Sequence, residues 1–110
     1  PGTTVVAPEV LHTNFNGTVK IVSTDPLVDP SININMFSDD TTGLVNGSSL
    51  NQMVASTFNV KIVADDNSIP IISPPAAAFN TPTDLANFIK ATANPQVHET
   101  GTCRFGTSIA

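Results

Sequence analysis

Residues 17–35 read GTVKIVSTDPLVDPSININ. Between Thr18 and Ser23 apolar and polar side chains alternate. Val19 and Ile21 therefore share one face and Lys20 takes the other, the two-residue period of a strand. Gly17 opens this run and Asp25-Pro26 closes it. After Asp29-Pro30 the alternation resumes in SININMF, where Ile32, Ile34 and Met36 fall on one side. The stretch predicts two short strands, and Thr3–Ala7 reads as a third.

Downstream, SDDTTGLVNGSS is a loop, and from Ser49 the period changes. Leu50, Met53, Val54, Thr57 and Phe58 recur at helical spacing, which predicts a helix running into the low sixties. Its end, NVKIVADD, also alternates, so helix and strand compete there. IPIISPPAAAFN is too rich in proline for a central strand and reads as extended chain. A second helix is better delimited. Thr81 is its expected N-cap, Pro82 occupies the first helical position, and Asp84 stands where a capping box puts an acid. Leu85, Phe88 and Ile89 form the predicted buried stripe, and Asn94-Pro95 the stop. Strands followed by helices make the expected fold α+β, a mixed or antiparallel sheet with a few helices.

Composition narrows the partners. The 110 residues carry a net charge of −5, and the four cations are spread along the chain. Nucleic acid and anionic membrane surfaces both select clustered cations, so neither is an expected partner. There is no Trp and no Tyr, and six Phe supply all the aromatic bulk, so the chain reads as part of a larger core. A single cysteine forbids an internal disulfide. The N-terminus lacks the basic start and apolar run of a signal peptide, which reads as a chain that begins after processing or inside a longer one. Asn16-Gly17-Thr18 and Asn46-Gly47-Ser48 are glycosylation sequons, the pattern of a secreted glycoprotein. Asp39-Asp40 and Asp65-Asp66 lack the Asp-x-Asp-x-Asp-Gly pattern of calcium loops and read as turns, and no metal site is expected. His12, in a polar loop, reads as surface.

The densest chemistry lies in QVHETGTCRFGTS, residues 96–108. His98 carries a side chain able to exchange a proton near neutral pH. Gly101 and Gly106 allow close backbone approach, and Thr100, Thr102, Thr107 and Ser108 offer hydroxyls. By itself a lone histidine is more often a hydrogen-bonded structural residue than a catalyst. Cys103, with no second cysteine nearby, reads as a small packed residue. Arg104 reads as an ion-pair partner that fixes the loop.

His98-x-x-Gly101-Thr102-Cys103-Arg104-x-Gly106 resembles the His-x-x-Gly-Thr-Cys-Arg-Met-Gly motif of the glucose–methanol–choline (GMC) oxidoreductases, with Phe105 in place of the usual Met. The run from Gly17 to Pro26, followed by Pro30 to Asn35, is similar to the strand pair of that family's substrate domain. Asp84 to Lys90 is similar to the short helix that leads into the catalytic loop. The likeness extends over roughly Gly17 to Ser108. It departs at Phe15-Asn16-Gly17, where the family commonly has Ser-Arg-Gly, so any contact of that arginine is lost.

The resemblance implies residues 1–110 as a single partial domain, the substrate domain of an FAD-dependent oxidoreductase acting on alcohols or sugars. It implies His98 as general base, Gly101 and Thr102 beside the cofactor, and Asn33 and Asn35 on the substrate side of the sheet. No Gly-x-Gly-x-x-Gly loop occurs in the sequence. The FAD-binding domain and a closing segment that holds the second catalytic residue are thus expected partners, and the isolated chain is expected to be inactive. Two other readings compete: a small secreted β-rich binding or structural domain in which the motif is coincidence, and a flavin-containing lyase of the same fold.

Overall fold

The computed structural model describes residue 3 and residues 5–95. Two strands, β1 (Thr18–Lys20) and β2 (Ser31–Asn33), precede two helices, α1 (Ser49–Asp66) and α2 (Pro82–Thr92). A 3₁₀ turn, Ala76–Phe79, lies between the helices. The order of strands then helices is the expected α+β arrangement.

β1 and β2 pair antiparallel, with Thr18 opposite Asn33, Val19 opposite Ile32 and Lys20 opposite Ser31. Both are shorter than the alternation predicts, and the register explains why. One step beyond Lys20, Ile21 would face Pro30, which has no N–H to continue the ladder. At the other end Asn35 turns into the left-handed region at φ 56°, and Phe37 does so at 61°. The Asn35 N–H donates to Asn33 Oδ1 at 2.9 Å, which closes a turn immediately after β2. The connection between the strands is held locally, with Ser23 Oγ accepting from the Asp25 N–H and Asp25 Oδ1 from the Leu27 N–H, each at 3.0 Å. Residue 3 and residues 5–7, read as a third strand, form none. An apolar-leaning run makes a strand only where a neighbouring backbone accepts its hydrogen bonds.

α1 runs without a break to Asp66, four residues past the low sixties, and so settles the competition at NVKIVADD in favour of helix. The buried positions decide it. Leu50, Val54, Thr57 and Ala64 lie on one helical stripe, whereas Ile62, on the apolar face of the alternation, is exposed. Asp65 therefore closes a helix and pairs with Lys61 one turn earlier, which corrects its reading as a turn residue. The Ile69–Pro75 segment forms neither helix nor strand and bends at Ser73 and Pro74, and Ala76–Phe79, read as part of the same extended chain, coils into the 3₁₀ turn.

α2 begins as its sequence predicts. Thr81 Oγ1 accepts from the Asp84 N–H at 3.1 Å and donates to Asp84 Oδ2 at 2.7 Å. The acid thus reaches the cap hydroxyl, where the standard box would use the cap N–H. The helix ends at Thr92 and Ala93 caps it, just before Asn94-Pro95.

The core forms where α1, the 3₁₀ turn and α2 meet: Leu50, Val54, Ala78, Leu85, Ala86 and Ile89 are buried together. Phe88 joins from its edge, half-buried, while Ala86 takes a buried place that the predicted stripe omitted. Phe58 and Phe79 pack edge to face with centroids 5.8 Å apart, and the Lys61 ammonium sits 5.6 Å from the Phe79 ring. The sheet takes no part in this core. Val19 and Ile32, side by side across the ladder, are 51% and 66% exposed. No helix among the described residues is long and apolar enough to cross a membrane.

Candidate functional site

The loop that carries His98, Gly101, Thr102, Cys103 and Arg104 lies outside the described residues. What the structure describes is the scaffold that precedes it. His98 comes three positions after Pro95, so α2 delivers the chain directly to the loop. Three buried side chains, Leu85, Ala86 and Ile89, fix which face of α2 meets α1.

A second anchor lies on the segment before α1, where sequence reading placed only a loop. Asp39 Oδ2 accepts from both the Ser49 N–H at 2.8 Å and the Ser49 hydroxyl at 2.7 Å. Asp40 Oδ1 accepts from the Val45 N–H at 2.8 Å and the Ser48 hydroxyl at 3.2 Å. Ser48 in turn caps α1 by accepting from the Asn51 N–H. Two carboxylates thus fasten the loop to the start of the helix, where the backbone dipole favours negative charge.

The outer oxygens, Asp39 Oδ1 and Asp40 Oδ2, are buried and accept no hydrogen bond among the described residues. Across from Asp40 Oδ2, at 3.8 Å, stands the Lys90 ammonium from the last turn of α2. The Asp40 side chain is 0% exposed and that of Lys90 is half-exposed. Burial pushes the Asp40 carboxyl up. The Val45 and Leu44 N–H groups, the Ser48 hydroxyl and the Lys90 ammonium outweigh it and hold the group below its ordinary 3.8. Asp40 and Lys90 also flank a cleft of about 370 Å³ between the 42–44 loop and α2, lined further by Leu50, Thr83 and Asn87. Sequence reading missed this pair. Its one signal was a cation in the last turn of α2, which is common enough to carry no information alone.

Asn33 and Asn35 sit at the far end of the sheet, both exposed. Asn33 Oδ1 holds the turn, and Asn35 Nδ2 donates to the Asn16 carbonyl at 3.2 Å. The corner is tight at Gly17. A Cβ there would lie 2.3 Å from the Asn33 carbonyl oxygen. The same sequence element thus supplies one sequon asparagine, Asn16, exposed beside that corner. The other, Asn46, is exposed in the turn before α1, next to Gly47 at φ 83°. His12 is exposed, as read. Among the described residues no group of three or more His, Cys, Asp or Glu side chains converges to hold a metal.

The GMC oxidoreductase family model matches residues 13–110, nearly the whole chain. The chain belongs to the GMC oxidoreductases and represents the C-terminal domain of that family. No curated protein and no solved structure matches it. The match removes the reading of the loop motif as coincidence in an unrelated β-rich domain. It covers the strand pair, both helices and the loop in a single alignment.

GMC enzymes generally use FAD, and the described residues can be tested for a place to hold it. A dinucleotide is usually held by its diphosphate against free N–H groups at a helix N-terminus. Both N-termini here are closed by carboxylates: Asp39 and Asp40 face α1, and Asp84 faces α2. A phosphate placed at either would meet like charge. Neither of these helix N-termini therefore suits the diphosphate, and Gly101 and Thr102, the residues expected beside the cofactor, lie outside the described residues.

Proposed function

We propose that this chain is the substrate-domain part of a secreted, FAD-dependent oxidoreductase that oxidises the CH–OH group of a small alcohol or sugar. His98 acts as general base, taking the hydroxyl proton as the carbon gives up its hydride. The bound flavin supplies the hydride acceptor. Gly101 and Thr102 let the loop backbone lie against the cofactor, whose nucleotide part is held by the FAD-binding domain of the same enzyme. Asn33 and Asn35 present the far end of the sheet to the substrate side. The exposed sequon residues Asn16 and Asn46 suit a glycosylated, extracellular enzyme. A closing segment from the rest of the enzyme contributes the second catalytic residue.

The observation that carries this reading is the loop motif His98-x-x-Gly101-Thr102-Cys103-Arg104-x-Gly106 inside a family match that spans residues 13–110. The test uses the full-length enzyme. Its visible spectrum should show flavin, and anaerobic addition of alcohols and sugars should bleach it. His98→Ala should slow that reduction by about 10²–10⁴-fold, the usual contribution of a positioned base. Reduction at the unaltered rate would remove His98 from the role. Flavin that no alcohol or sugar bleaches would direct the fold to a non-redox reaction.

A further inference from the structure

The cleft of about 370 Å³ between the 42–44 loop and α2 is large enough to enclose a small organic molecule. Leu50 and Ala86, both buried, give it an apolar lining. Thr42, Thr83 and Asn87 border it with two hydroxyls and an amide, and all three residues are exposed. The loop side is built in advance. Gly43 and Leu44 both take the left-handed region, at φ 88° and 54°. For a leucine that conformation is costly and persists only where neighbours impose it, a situation common at ligand clamps. Here the Leu44 carbonyl accepts from Asn51 Nδ2 at 3.5 Å, and its side chain packs against the core.

The polar centre of the cleft is an acceptor without a donor. Asp40 commits Oδ1 to the Val45 N–H and the Ser48 hydroxyl. Its side chain is wholly buried, yet Oδ2 accepts no hydrogen bond among the described residues. Native structures seldom leave such an oxygen unpaired. The Lys90 ammonium, 3.8 Å away, lies beyond hydrogen-bond reach and balances the charge without taking the lone pair. This arrangement sorts ligands. A cation entering the gap meets the ammonium and an anion meets the carboxylate, each at short range from its like. A neutral hydroxyl suits both groups, because its O–H donates to Oδ2 while its oxygen accepts from Nζ. An oxygen at about 2.8 Å from each can lie between two atoms 3.8 Å apart. Lys90 is half-exposed, so its ammonium can swing outward to admit the hydroxyl.

We infer that this cleft is a binding site for a neutral polyol such as a sugar, held by one hydroxyl between Asp40 and Lys90 and by others at Thr42, Thr83 and Asn87. The site is built wholly from described residues, and it stands whether or not His98 is the catalytic base.

The test uses the full-length enzyme and three pyranoses that differ in charge just below neutral pH: methyl β-glucoside, neutral; glucuronate, an anion; and glucosamine, a cation. Hydrogen exchange by mass spectrometry follows peptides covering residues 40–50 and 82–92. With the glucoside about tenfold above its Kd, these peptides should exchange up to about tenfold more slowly, and the rest of α1 at the parent rate. Glucuronate and glucosamine should leave both peptides unprotected. Lys90→Met removes the donor and should abolish the protection. Asn87→Leu, at an exposed position, alters the wall without touching Asp40 and should weaken it, so the test holds even if Lys90→Met folds poorly. No slowing up to about 0.1 M glucoside, where a millimolar ligand saturates, overturns the inference. So does slowing spread evenly over all peptides, which is the exclusion effect of an osmolyte. Protection that both variants retain, or that the charged sugars reproduce, overturns it equally.

Discussion

Gly17→Ala sets two effects of known size against each other. Gly17 is not in the left-handed region, the positive-φ glycines being Gly43 and Gly47. Alanine there should then stabilise by about 0.4–1 kcal/mol, because it narrows the unfolded ensemble. The structure opposes this. The new Cβ would lie 2.3 Å from the Asn33 carbonyl oxygen, 2.9 Å from Ile34 Cα and 3.0 Å from the Ile34 carbonyl oxygen. All three are backbone atoms, so no side chain can swing aside. Ordinary contact begins at 3.4 Å, and the strands must separate by about 1 Å at this end. That movement stretches the ladder bonds nearest Thr18 and Asn33 and the Asn35-to-Asn16 bond beyond useful length. Losing two such bonds removes about 1–3 kcal/mol, and the net change is a destabilisation of about 1–2 kcal/mol. The assay is hydrogen exchange by mass spectrometry on the full-length enzyme. Peptides covering residues 16–35 should exchange about tenfold faster, and those of α1 and α2 at the parent rate. Unchanged or slower exchange across 16–35 would show that the close approach at Gly17 is wrong.

Three further outcomes follow from the helical half. Leu85→Ala empties a fully buried position in the core and should lower unfolding stability by about 2–5 kcal/mol in chemical denaturation, whereas Asn87→Ala, on the exposed side of the same helix, should change it by less than about 0.5 kcal/mol. Thr81→Ala removes the α2 cap and should cost about 1 kcal/mol, with Thr81→Ser recovering most of it in the same titration. The third is a pH dependence. Because folding lowers the Asp40 pKa below 3.8, its contribution is complete above that value and is lost as pH falls through the folded-state pKa. Thermal melts from pH 5 downward should show the parent losing stability more steeply than Asp40→Asn, and parallel curves would contradict the environment described for this carboxylate.

The parts of the fold that were legible in the sequence depend on neighbours within a helical turn. The start of α2 follows from Thr81, Pro82 and Asp84, whose contacts span three positions, and its stop from Pro95. The fold class and the site motif were legible for a different reason, since order and spacing survive without any contact being known. What could not be read are contacts between distant positions. Asp39 holds Ser49 ten positions away, Asp40 holds Ser48 eight away, and Asn35 reaches Asn16 nineteen away. Each of these polar residues looks, in isolation, like an ordinary solvated loop residue. The over-long strands have the same origin. Alternation places Ile21 on a face but is silent about Pro30 opposite, and that partner ends the ladder. The competition at residues 59–66 was likewise decided by a distant surface. The helix wins because Leu50, Val54, Thr57 and Ala64 share a buried stripe, whereas an alternating strand would have put Ile62 on the same face as Ala64, and Ile62 is exposed. Periodicity thus fixed which side chains lie together on an element. Which backbone or charge they meet was decided by pairings that the linear order does not encode.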